Sequence, residues 1–243
     1  MSDATLLVDV GNSAAKWRLL DGRDRQDGRV AYQEMDRGFQ LPQHDSLCRL
    51  VVSSVSHRGG GPAFIDRVSQ QFDLVAERVV SPAHGNGLIN DYDNPAQLGV
   101  DRWFAAIAAW NLYFQAVVVV DCGTAMTLDL VDGQGHFRGG MIFPGLETLR
   151  DVFLRHAPHL GEVNARDGSF PPRNTADAIG QGAWLGSIAI VEKFVQNAGA
   201  TLGYEPRVIL SGGNASRLAD SLTLSAEVKP DLVLDGLEIY AAS

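Results

Sequence analysis

Between Ala116 and Asp129 the chain reads AVVVVDCGTAMTLD. Four consecutive valines have neither the 3.6-residue period of an amphipathic helix nor the alternation of a half-exposed strand. The run therefore reads as a strand buried on both faces, in the middle of a sheet covered by helices. It stops at Asp121-Cys122-Gly123-Thr124, where Gly123 permits a tight turn with backbone N–H groups open to an anion and Thr124 adds a hydroxyl donor. The adjoining acid suits a cation, because a carboxylate beside phosphates ordinarily holds one.

The same arrangement occurs once before. Thr5–Lys16, TLLVDVGNSAAK, runs apolar residues into Asp9, then Gly11, with the amide of Asn12 and the hydroxyl of Ser13 at the turn. Asp9 and Asp121 lie 112 residues apart, and the turn pairs Asp21-Gly22 and Asp132-Gly133 lie 111 apart. Each half reads strand, acid-glycine turn, strand, Asp-Gly hairpin turn, strand, the third strands falling at Arg29–Tyr32 and His136–Ile142. A further strand ending in small residues follows in both, Leu50–Ser54 and Val208–Gly213. Two related domains are expected, residues 1–115 and 116–243, with a nucleotide in the cleft between two phosphate-binding hairpins.

A length of 243 residues accommodates two such domains, each large enough to bury a core. The net charge of -9 argues against a nucleic-acid partner or an acidic membrane surface, either of which calls for a basic face. It does not oppose a nucleotide, which backbone dipoles and a metal can hold inside an acidic protein. Two cysteines, Cys48 and Cys122, make no disulfide framework, so a reducing compartment is expected. Met1–Thr5 is polar and the first apolar run breaks at Asp9, which gives no signal peptide. No apolar stretch approaches 18 residues, the length of a spanning helix.

Elsewhere several segments have two readings. Gln33–Leu47 is a surface connection or a short irregular helix. Gly59-Gly60-Gly61-Pro62 is a phosphate loop or, lacking the Lys-Ser/Thr of a P-loop, a plain entry to a helix over Ala63–Gln71. Ser81–Arg102, SPAHGNGLINDYDNPAQLGVDR, is a long loop rich in turn formers, and long loops in compact domains are usually functional. It leads into an apolar helix, Trp103–Tyr113, where Asp101-Arg102 is either a helix cap with a solvated neighbour or part of a site. His156 and His159 have the spacing of a metal pair, but Pro158 intervenes and no third ligand is near, so solvated histidines are expected. In the helix over Ala176–Ala198, Gly180, Gly182 and Gly186 mark either tight packing within the domain or a subunit contact. Ser211-Gly212-Gly213-Asn214 contacts a nucleoside or caps the helix that begins at Ala215.

Taken together, these motifs resemble the type III pantothenate kinases of the acetate and sugar kinase, heat-shock ATPase and actin fold group. DVGNSAAK at Asp9–Lys16 resembles that family's first phosphate motif, YDNPAQLGVDRW at Tyr92–Trp103 its pantothenate motif, and DCGTAMTLD at Asp121–Asp129 its second phosphate motif. GGMIFPG, NTADAIGQG and LSGGNA resemble the signatures that follow, so the likeness runs through almost the whole chain. It implies an α/β fold, a duplicated ribonuclease H-like (actin-like ATPase) architecture, and ATP-dependent phosphorylation of pantothenate in coenzyme A biosynthesis. By position it implies that Asp9, Val10, Gly11, Asn12, Ser13, Ala14, Ala15, Lys16 and Thr124 hold ATP, with Asp9 binding Mg²⁺ directly or through water. Asp101 is implied as the base, and Tyr92, Gly99, Val100, Asp101, Arg102 and Thr175 as the pantothenate site. Asp121 is implied as the ligand of a monovalent cation, K⁺ or NH₄⁺. A cytoplasmic homodimer with its substrate pocket near the interface completes the expectation, with no nucleic acid and no membrane. Ser13 stands where many relatives have Thr, and either supplies the hydroxyl.

This chemistry is also coherent on the residues alone, since phosphoryl transfer needs positioning and charge neutralisation more than a strong nucleophile. Two rivals remain. One keeps the fold and changes the acceptor to another small molecule or to water, against which stands the Tyr92–Arg102 motif. The other is a catalytically silent regulator, which would be expected to have lost one of Asp9, Asp101, Thr124 or Thr175.

Overall fold

The computed structural model describes residues 3–37, 39, 41–56, 60–156 and 170–243, with backbone alone at 36, 37 and 156. Gly59, His159 and the side chain of His156 lie outside the described residues. The chain divides into two compact units, residues 1–113 with 231–243, and residues 114–230.

The first unit begins with β1 (Ala4–Val10), β2 (Ala14–Asp21), β3 (Asp24–Ala31) and β4 (Leu47–Ser54), followed by α1 (Gly60–Phe72) and β5 (Ala76–Arg78). Its sheet runs in the order β3-β2-β1-β4-β5. The first three strands are antiparallel neighbours, while β4 is parallel to β1 and β5 to β4. Alternation along β1 sends Leu6, Val8 and Val10 into a core shared with Phe64, Ile65 and Val68 of α1. The opposite positions Thr5, Leu7 and Asp9 face the other way. Gly60 and Gly61 fall inside the first turn of α1, where a Cβ on either would overlap the Tyr32 ring or the Ser56 side chain. These glycines are small because the neighbours are close, which favours the plain helix entry over a phosphate loop.

The expected long loop is partly folded. It contains the hairpin of β6 (His84–Gly85) and β7 (Leu88–Asn90), turned through Asn86 and Gly87 at positive φ, and a 3-10 turn at Pro95–Gln97 capped by the Asn94 side chain. It leads into α2 (Val100–Tyr113), which starts three residues earlier than its apolar run suggests.

The second unit repeats the first. It contains β8 (Val117–Cys122), β9 (Ala125–Val131), β10 (His136–Pro144), α3 (Leu146–His156), α4 (Thr175–Leu202), β11 (Arg207–Ser211), α5 (Ala215–Ala219) and β12 (Glu227–Val228). Within the unit the strand order is β10-β9-β8-β11-β12, with two antiparallel pairings followed by two parallel ones, as in the first unit. Val118 and Val120 enter a core with Val191 and Ala198 of α4 and Ala215 and Leu218 of α5. Val117 and Val119 on the opposite face are at most 1% exposed, so β8 is covered on both sides as its composition requires.

After β12 the chain returns to the first unit as α6 (Leu232–Ala241). This differs from the expected partition at 115/116, which left residues 231–243 in the second half. The physical reason is packing: α6 lies on β1, β2 and β4 and against α2, and Gly236 has no side chain because its Cβ would overlap the Phe104 carbonyl oxygen. No helix among the described residues is long and apolar enough to cross a membrane.

Candidate functional site

The first acid-glycine hairpin is held from several sides. Gly11 N donates to Ala14 O at 3.1 Å to close the turn, and Tyr32 brackets it, its N–H donating to Ser13 O at 3.3 Å and its hydroxyl to Gly11 O at 2.7 Å. Burial, with the charge of Asp9 adding to it, pushes the Tyr32 hydroxyl up to about 12, so it stays a donor. Asn12 and Ser13 are exposed at the tip, whereas Val10 and Ala15 are wholly buried and can offer only backbone. Asp9 is the direct partner of Lys16 on β2 and of Ser53 on β4, which puts the three side chains on one face of the sheet. Ser53 Oγ lies 3.5 Å from Asp9 Oδ1, and Lys16 Nζ lies 3.0 Å from Asp231 Oδ1.

The second hairpin is anchored through its backbone. Thr124 is exposed, and its carbonyl accepts from Gly145 N at 3.0 Å and from Thr148 Oγ1 at 2.7 Å. Gly212, at a φ of +86°, approaches so closely that a Cβ would overlap Asp121 Oδ1 and crowd the Cys122 backbone. Asp121 itself is half-buried. Burial and the neighbouring Asp121 charge push the Cys122 thiol up to about 12, so its role is that of a small buried group. Asn214 makes no side-chain cap to α5; its amide donates to Glu147 at 3.0 and 3.2 Å. Thr175 is exposed at the head of α4, whose cap is Asn174 accepting from Asp177 N at 2.9 Å.

A third cluster gathers where the long loop meets α2. Asn90 Nδ2 donates to Pro82 O at 3.1 Å and Asn90 Oδ1 accepts from Tyr92 N at 3.1 Å, which fixes the course of the loop. Arg102 is only 6% exposed, not the solvated neighbour of a simple cap, and its Nη1 donates to Tyr92 Oη at 2.8 Å. Asp101 Oδ1 accepts from Arg102 N at 2.8 Å, and a Cβ on Gly99 would come within 2.7 Å of that oxygen. Burial raises the Asp101 carboxyl above its usual range, against the backbone bond from Arg102 and that residue's positive charge. A half-buried carboxylate of raised basicity beside a buried guanidinium can accept a proton while an anion is held next to it.

Tyr92, Gly99, Val100, Asp101 and Arg102 thus come together at the head of α2, and Asp9 and Lys16 share one sheet face. Asp121 and Thr124 share the second hairpin. Two participants escape sequence reasoning: Tyr32, whose hydroxyl reaches back 21 residues, and Asp231, which meets Lys16 across 215. Pro230-Asp231 ahead of the apolar run to Tyr240 signals the start of a helix. Nothing local signals that the carboxylate goes to a strand.

Among the described residues no group of three or more His, Cys, Asp or Glu is arranged to hold a metal ion. Each hairpin instead supplies one carboxylate with hydroxyl or carbonyl oxygens around it. Such all-oxygen, incomplete donor sets fit a hard cation whose remaining ligands are phosphate and water.

A family model of type III pantothenate kinase matches residues 5–197. A type III pantothenate kinase of Nitrosospira multiformis is 36% identical over 246 residues, covering 98% of this chain and 90% of that protein. Among solved structures, a Baf family protein from Campylobacter jejuni aligns with a TM-score of 0.62 at 21% identity, covering 98% of both chains. The ethanolamine utilization protein EutJ from Carboxydothermus hydrogenoformans aligns with a TM-score of 0.51 at 14% identity, covering 98% of this chain and 89% of that one. The architecture is that of the actin-like ATPases.

Proposed function

The chain belongs to the type III pantothenate kinase family, which gives it the ATP-dependent phosphorylation of pantothenate in coenzyme A biosynthesis, and we propose how its own residues perform that transfer. The observation that carries the proposal is the Tyr92–Asp101–Arg102 cluster, with Asp101 of raised basicity beside a buried guanidinium.

Arg102, oriented by Tyr92, engages the pantothenate carboxylate, and Gly99, Val100 and Thr175 complete the contacts with that substrate. Asp101 accepts the proton of the primary hydroxyl as the oxygen attacks the γ-phosphorus, and ADP leaves with the β–γ bridging oxygen. The backbone amides and hydroxyls of residues 9–16, the Lys16 ammonium and Thr124 hold the phosphates of ATP. A divalent cation at Asp9, directly or through water, and K⁺ or NH₄⁺ at Asp121 supply neutralisation of phosphate charge when bound. Asp9 and Asp121 orient those ions by their fixed places at the strand ends.

A homodimer in the cytoplasm is part of the same reading. Gly182 and Gly186 on α4 have nothing described within 4 Å of an added Cβ, and Leu185 between them is 48% exposed. Packing against the described residues therefore does not explain those glycines, while a second subunit would.

The decisive assay is ADP release from Mg-ATP with and without pantothenate, in potassium and in sodium buffer. Release that needs pantothenate and is faster in potassium is expected. Equal release without pantothenate points to water or another acceptor, and none in either buffer points to a regulator.

A further inference from the structure

We infer that Asp231 is a positioning residue for ATP: its carboxylate holds the Lys16 ammonium in place on the sheet face that carries Asp9. The inference rests on the reading of Lys16 as a phosphate ligand and adds the group that aims it.

Asp231 stands immediately before α6, at the position where an aspartate ordinarily accepts a hydrogen bond from the first turn. Its side chain makes no such bond; Oδ1 meets Lys16 Nζ at 3.0 Å instead. The contact is one step of a regular fit between strand and helix. Lys16 and Arg18, two apart on β2, project from the same face, while Asp231, Asp235 and Glu238 lie at i, i+4 and i+7 along one face of α6. Arg18, fully buried, donates to Asp235 at 2.8 Å and to Glu238 at 2.7 Å, so the helix that carries Asp231 is itself fastened to the strand that carries Lys16.

The Lys16–Asp231 pair is a poor candidate for a purely stabilising contact, because its side chains are 30% and 32% exposed and pairs so exposed add little to stability. An ammonium has three donors, so a bond to Asp231 is compatible with simultaneous bonds to phosphate oxygens. Lys16 is directly opposite Asp9, beside the turn of Gly11–Ser13. Fixing one of its donors confines a long, flexible side chain to the neighbourhood where phosphates are to be bound.

The test is a mutant cycle read by ATP binding calorimetry on the full chain, with steady-state kinetics alongside. Asp231→Asn is expected to weaken ATP binding about fivefold, the scale of one ordinary hydrogen bond, with the KM for pantothenate unchanged. Asp231→Glu is expected to restore most of the loss, and Asp231→Asn added to Lys16→Met is expected to cost nothing further. Wild-type ATP affinity in Asp231→Asn, when Lys16→Met binds ATP weakly, overturns the positioning role and leaves the Lys16 reading intact. Additive losses in the double variant likewise overturn it. Wild-type affinity in Lys16→Met removes the Lys16 reading and the inference together. Asp231→Ser, which keeps a capping residue and removes the charge, makes the same comparison if Asp231→Asn does not fold.

Discussion

Arg102 Nη1 donates to Tyr92 Oη at 2.8 Å, so the side chain proposed to meet the pantothenate carboxylate is held by the one proposed to orient it. The guanidinium is 6% exposed and depends on such partners for its orientation. Tyr92→Phe is expected to raise the KM for pantothenate about fivefold, the effect of one lost hydrogen bond, without changing the KM for ATP. Steady-state kinetics with each substrate varied will decide; a rise confined to ATP would remove the cluster from the pantothenate site.

Asp101 yields a paired prediction. A carboxyl whose folded pKa is raised by burial binds its proton more tightly in the folded protein than in the unfolded chain. The stability this lends is fully present below the unfolded pKa and is lost as pH rises through the folded one. Asp101→Asn should therefore melt above the wild type at pH 8, with the gap closing in acid. Its turnover should fall by at least about a hundredfold, the usual scale for a lost base, and the acid limb of the kcat/KM profile should vanish. Unchanged turnover would return Asp101 to the role of a cap.

At Gly212 both conformation and space forbid a side chain, since φ is +86° and a Cβ would overlap Asp121 Oδ1. Gly212→Ala is expected to cost about 1–3 kcal/mol of stability and to blunt the response to potassium by displacing that carboxylate. Asp121→Ala should abolish the potassium response without the backbone strain. Melting curves and assays in potassium and sodium separate the two variants, and a full potassium response in Asp121→Ala would put the ion elsewhere.

Arg18→Met leaves Asp27, Asp235 and Glu238 without the buried cation they share. Breaking a buried pair costs several kcal/mol, and the partial exposure of the three carboxylates brings the expected loss to about 3 kcal/mol, read as a lower urea midpoint. Burial works against ionisation of Asp27, but hydrogen bonds from Arg25 and Arg18 outweigh it and hold its carboxyl below the usual range. That contribution is present above the unfolded pKa and is lost as pH falls through the folded one, so the gap between variant and wild type should narrow in acid. An equal gap at pH 3 and pH 7 would mean the carboxylates do not carry it.

The two thiols should behave differently. Cys48 is exposed, whereas burial and Asp121 push the Cys122 thiol up to about 12. Ellman's reagent is expected to titrate one thiol per native chain and two after denaturation. Rapid reaction of both in the native protein would mean that the second hairpin opens.

Much of this was legible because the strongest signals are local. The valine run, the two acid-glycine turns and the Asp-Gly hairpins each carry their conformation within a dozen residues, and their repetition at one spacing exposes the twofold design. The strand order of the second unit, which mirrors that of the first, follows from that repetition. What was not legible depends on residues far apart in the chain. Arg102 by itself fits a solvated neighbour of a cap as well as a site residue until the loop folds over it. The glycines at 60 and 61 allow a phosphate loop as well as a plain helix entry until the Tyr32 ring and Ser56 are seen against them. The allegiance of α6 is a matter of which apolar face it covers, and a helix's own period names the face but not the partner.

The return of residues 231–243 to the first unit also sets an order of assembly during synthesis. The strands and hairpin of that unit leave the ribosome first, yet the helix that covers Leu7 and supplies partners for Lys16 and Arg18 is made only after residues 114–230. The half begun earliest is thus the half finished last. A nascent chain stalled just short of Asp231 would carry one complete unit and one with an open apolar face, the form that a chaperone or protease would recognise.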